Sequence, residues 1–175
     1  KAFFEYWTGA FQKTHEDAEE SRKAAEAIDS RPFDYWSYLL EGFAHLAQGN
    51  LIPAGGCFIQ GCDIPMKDSR RPLVHRSTKE YLLGITELMQ KKAGSTRARL
   101  GVMSGFLSEI QDPDDKKYVG SLLDLLRGEV MLGEGSVAEA IPLFEQHPSS
   151  YIEGYRVVHY QIDELAEISL SQPET

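Results

Sequence analysis

The sequence predicts an all-α chain in which antiparallel helix pairs stack in a row as an α-solenoid. Three observations carry this expectation. Helix start and stop signals recur along nearly the whole chain, with no alternating pattern of half-buried strands. Two segments align without a gap, and small residues recur about every 40 residues, the period of helix-turn-helix arrays. The 175 residues leave room for one ordinary domain or about four to five helix pairs. An apolar fraction of 42% with 26% charged residues is that of a chain that folds.

Taken in order, residues 1–32 are expected to form an N-terminal helical segment packing on the array, helical over 2–29 with a break around Thr14. Its aromatics, Phe3, Phe4, Tyr6, Trp7 and Phe11, lie around more than one helix face. That suits burial in a packed array, or docking on a segment outside the chain. The stretch "FDYWSYLLEGF" at 33–43 offers the same choice. Helices are expected over 33–48, 51–61, 71–93, 96–111, 113–133, 137–147 and 151–171. Approximate units are 33–66, 71–111 and 113–148, with 150–175 an incomplete one.

Several boundaries have a stated cause. Ser136 with Glu139, and Ser150 with Glu153, have the spacing of a capping box, in which serine and glutamate satisfy the free donors of a helix start. "DPDD" at 112–115 combines a cap, a first-turn proline and acids facing the positive end of the dipole. "QGN" at 48–50, "AGS" at 93–95 and "GEGS" at 133–136 place glycine where a helix end favours a left-handed residue.

The internal match sets "GFAHLAQGNLIPAGGCF" (42–58) against "GEVMLGEGSVAEAIPLF" (128–144). Gly42, Leu46, Gly49, Ala54 and Phe58 align with Gly128, Leu132, Gly135, Ala140 and Phe144. Gly84 in "EYLLGITEL" and Ala166 in "DELAEISL" take the same slot as Gly42 and Gly128. A small residue there lets the second helix of a pair approach closely, with Ala54 or Ala140 opposite. Phe58 or Phe144 is expected to fill space toward the next pair, and Gly49 or Gly135 to end the first helix.

On these residues the chain resembles the tetratricopeptide repeat family, most closely over 121–147 and next over 35–62. The period here is longer than the roughly 34 residues usual in that family. The resemblance implies a non-catalytic protein-binding superhelix, with a concave groove lined by the first helix of each pair. Tyr38, His45, Glu80, Glu87, Asp124 and Met131 are then the candidate groove residues. The implied partner is a protein, a peptide or a second copy of the chain. A regulatory domain that holds a small ligand between helices and signals to an attached effector is the alternative.

A net charge of −9 and a pI near 5.0 argue against a general nucleic-acid binder. The basic stretch "KDSRRPLVHRSTK" at 67–79 is too short and interrupted to reverse that. No apolar run approaches a membrane span and no signal-peptide order opens the chain. A start on Lys1 is read as that of a segment of something longer. "GEGS" follows a helical pattern and no lysine comes after it, so it reads as a turn and not as a phosphate loop. His15, His45, His75, His147 and His159 are spread singly over five helical regions. His159 and Asp163 stand one turn apart, as in a solvated pair. "EDAEE" and "DPDD" read as solvated faces and caps. No catalytic residue, cofactor or metal set is therefore assigned. Cys57 and Cys62 read first as two buried thiols, then as a local disulfide, and last as half of a metal site. A disulfide would favour an extracytoplasmic setting and two free thiols the cytoplasm.

Overall fold

A computed structural model describes residues 5–6, 8–64 and 71–146. All regular structure among them is helical. The helices are α1 (Phe11–Ala27), α2 (Arg31–Ala47), α3 (Leu51–Cys62), α4 (Pro72–Met89), α5 (Ala93–Glu109), α6 (Pro113–Gly133) and α7 (Val137–Glu145). Each packs on its neighbours in chain order, and α4 also packs on α6. The expected helix over 151–171 lies outside the described residues, together with Ala166, Ser150, Glu153, His147, His159 and Asp163. So do Phe3, Phe4 and Trp7.

The four tight links, α1–α2, α2–α3, α4–α5 and α6–α7, share one geometry. Each is three residues long and its middle residue is left-handed: Asp29 at φ 49°, Gly49 at 75°, Lys91 at 61° and Gly135 at 83°. The next amide donates to the carbonyl five residues back. Ser30 bonds Ala25, Asn50 bonds His45, Lys92 bonds Glu87 and Ser136 bonds Met131, at 2.8–2.9 Å. This satisfies carbonyls that a helix end otherwise leaves open. "GEGS" is therefore a turn, and Gly135 is its pivot.

Four boundaries depart from expectation. The break in the N-terminal segment falls at Gly9, φ 76°, and not at Thr14, which lies within α1 and whose hydroxyl donates to the carbonyl of Ala10, the residue before that helix. The helix expected to run to 93 stops at Met89 on the Lys91 turn, and "AGS" opens α5 instead of ending α4. Ser136 makes no side-chain cap bond, so the Ser136–Glu139 capping box is not formed; the backbone turn already orders that start. Pro53 is accommodated within the first turn of α3, and Gly55 and Gly56 do not break that helix. Asp112 does cap α6, accepting from the Asp114 and Asp115 amides at 3.0 Å each.

One buried apolar cluster runs from α2 through α7. Leu39, Phe58, Tyr81, Leu82, Met103, Leu122, Leu126 and Phe144 belong to it. Each such side chain contributes about 1.5–3 kcal/mol by leaving water. Glycine sets how closely the helices approach. A Cβ on Gly42 would stand 2.4 Å from the Phe58 ring, and one on Gly128 2.7 Å from the Phe144 ring. The phenylalanine thus fills the notch of its own pair, because the ring occupies the space that the absent side chain leaves. Toward the other end of the pair, a Cβ on Gly61 would meet Tyr38 Cβ at 2.9 Å, which shows α3 folding back along α2.

The middle unit reuses this plan with different occupants. Thr96 stands in the slot of Ala54 and Ala140, is fully buried, and donates to the Gly84 carbonyl at 3.3 Å. The notch at Gly84 is filled from α6, where Leu126 Cδ2 lies 2.7 Å from the position of a Cβ.

Candidate functional site

The six groove candidates stand on α2, α4 and α6, and most are engaged by neighbouring side chains. Tyr38 is half-buried beneath the Arg22 guanidinium of α1, 4.8 Å from its ring centroid. Arg22 and Tyr38 flank the Asp29 turn at the spacing that Gly42 and Phe58 keep around Gly49, so the α1–α2 hairpin repeats the same register. Glu80 and Glu87 lie two turns apart on α4 and share Arg99 of α5. The Glu80 bond is 2.6 Å and the two Glu87 bonds are 2.7 and 2.8 Å. Asp124 accepts from Arg127 on its own helix at 2.8 Å, and Met131 is partly buried against the core.

His45 has the most chemistry around it. Its ring lies 4.3 Å from that of His15 on α1, with Glu41 one turn back on α2. The expectation of five singly placed histidines fails for these two, because the Asp29 turn folds α1 onto α2. Glu41 and His45 stand on either side of the position equidistant with His15 from that turn, so the hairpin register was the signal that would have found them. Glu41 Oε2 accepts from Arg22 at 2.5 Å, while Glu41 Oε1 lies 4.0 Å from His15 Nδ1. His15 Nε2 meets Gln48 Oε1 at 3.2 Å, and Asn50 Nδ2 donates to that same oxygen at 3.3 Å. Burial, and then the neighbouring His15, hold His45 below the usual histidine range, with Glu41 opposing. Cys57 on α3 is also close to Glu41. Burial and that carboxylate push its thiol up to about 11.

A second feature is a cavity of about 500 Å³ at the start of α4. It is lined by Tyr35, Cys62, Asp63, His75, Arg76, Lys79, Glu80 and Phe106, among others. Lys79 and Asp63 pair across it at 2.5 Å. Burial pushes the Cys62 thiol up to about 12 and holds His75 below the usual histidine range, so burial favours the uncharged form of each. Cys57 and Cys62 are both free thiols. They face different surroundings, one Glu41 and the other the cavity.

The aromatic stretch at 33–43 divides. Tyr35, Leu39, Leu40 and Phe43 are buried, whereas Phe33 is 62% and Trp36 48% exposed, one turn apart at the start of α2. Tyr6, in contrast, is buried against Phe11 and Phe43. None of the described helices is long and apolar enough to cross a membrane. No protein-family model matches the chain, and no curated protein or solved structure matches it.

Proposed function

We propose that the chain is a non-catalytic helical-repeat module, an α-solenoid akin to tetratricopeptide repeats, that binds a protein or peptide partner. The reading rests on a repeated hairpin plan. A notch residue, a left-handed pivot seven positions later and a filling aromatic sixteen positions later recur in the hairpins pivoting at Gly49 and Gly135. Stacking such pairs leaves the first helix of each with a face not used by its partner helix. On α2 that helix carries Phe33 and Trp36, an exposed apolar pair of the kind that anchors partner contacts. Self-association through the same face is included in the proposal.

The test is co-purification with the full-length protein as bait, beside a Phe33→Ser/Trp36→Ser variant and a Val102→Ser control on α5. Loss of specific partners, or of the dimer, in the first variant alone supports the reading. An unchanged partner profile contradicts it. A second reading, a sensor domain that holds a small ligand between helices, is favoured by the cavity beside α4. Its lining is more charged than the apolar pockets usual for such ligands. A thermal-shift screen in which no metabolite stabilises the chain would count against it.

A further inference from the structure

We propose that His15, Glu41 and His45 form a divalent transition-metal site that staples α1 to α2. The ligand atoms that these three side chains offer all lie within 4.8 Å of one another. Zinc bonds of about 2.0–2.2 Å to nitrogen and oxygen place adjacent ligands of a tetrahedral ion roughly 3.3 Å apart. An approach of up to about 1.5 Å therefore completes the set, a distance within reach of side-chain rotation.

The surroundings are those of a supported ligand set. His15 Nε2 donates to Gln48 Oε1, an oxygen itself held by Asn50, so the lone pair of His15 resides on Nδ1, the atom that faces Glu41. Orientation of a ligating imidazole by a bond to its other nitrogen is the usual device of metal sites. His15 Nδ1 and His45 Nδ1 are both shielded from solvent and have no hydrogen-bond partner. Buried polar atoms in that condition are uncommon, and a metal ion gives such nitrogens a partner. Arg22 takes Glu41 Oε2 and leaves Oε1 for the ion.

Two imidazoles and one carboxylate oxygen select zinc and its transition-metal neighbours. Calcium and magnesium favour larger sets of oxygen ligands. The fourth position is open to water. The site lies on the α1–α2 hairpin and is independent of any partner bound elsewhere.

The experiment uses the full chain, freed of metal by a chelator. Zn²⁺ is titrated by calorimetry and Co²⁺ by visible absorption. One equivalent of each binds, Co²⁺ gives the intense bands of a four-coordinate ion, and the thermal midpoint rises with Zn²⁺. His15→Ala and His45→Ala each lose that equivalent, whereas His75→Ala keeps it. Gln48→Ala, which leaves every ligand in place, weakens binding by about 10–100-fold. Glu41→Gln weakens binding with the helical circular dichroism unchanged, which separates lost ligation from lost folding. Failure of the wild-type chain to bind an equivalent of either ion overturns the proposal. So does undiminished binding in a His15→Ala/His45→Ala chain.

Discussion

Replacing Gly42 with alanine sets two opposed effects on one atom. Alanine in place of glycine inside a helix stabilises by about 1 kcal/mol, because the unfolded chain loses freedom it would otherwise regain. The added Cβ would stand 2.4 Å from Phe58 Cε1 and 2.7 Å from Cδ1, and Phe58 is fully buried. Overpacking of this kind costs about 1–3 kcal/mol. The net expectation is a loss of up to about 2 kcal/mol. Gly101 and Gly105 on α5 supply the control, because a Cβ at either meets nothing within 4 Å. Alanine there should stabilise by about 0.5–1 kcal/mol. Thermal denaturation followed by circular dichroism reads both signs, at about 2–4 °C per kcal/mol for a chain of this size. Phe58→Leu in the Gly42→Ala background should recover part of the loss, a coupling that independent sites do not show. A rise in midpoint for Gly42→Ala equal to that for Gly101→Ala would refute the reasoning, since the notch would then not be packed.

The turns give a second pair of opposite signs. Lys91→Gly should stabilise by about 1 kcal/mol, and Gly49→Ala or Gly135→Ala should destabilise by a similar amount, because L residues are strained at positive φ. Asp112→Ala removes the acceptor of two amides at the start of α6 and should cost about 1 kcal/mol, measured by urea denaturation. Burial raises the Glu129 carboxyl to about 7. As pH rises from about 4.5 to 7 the unfolded chain gives up this proton first, so stability falls across that window by about 3 kcal/mol and then levels off. Glu129→Gln should abolish the fall and be the more stable protein at pH 8; an unchanged pH profile would count against a neutral buried carboxyl.

The helical character and the glycine notches were legible because both have local causes. A helix interior tolerates Gly42 or Gly128 where close packing requires it, and the aromatic sixteen residues on completes the pattern. The Lys91 turn was not legible, since lysine carries no preference for the left-handed region and the nearby Gly94 suggested a stop three residues late. The seat of Phe58 in the Gly42 notch of its own pair was not legible for a different reason: spacing identifies the aromatic but not the surface it fills. The meeting of His15 with His45 depends on the register of the α1–α2 hairpin, set by Asp29, a residue that no glycine signal marks. The groove candidates were chosen by helix face, and that choice leaves out the ionic neighbours. Arg99 draws on Glu80 and Glu87 together only because α5 lies against α4.

Hydrogen exchange of the protein with and without its co-purified partner tests the binding-module proposal most directly. The expected result is slowed exchange concentrated on α2, α4 and α6, the first helix of each pair, with α3, α5 and α7 little changed. Protection confined to α3, α5 and α7, or none with a partner bound at saturation, would contradict it.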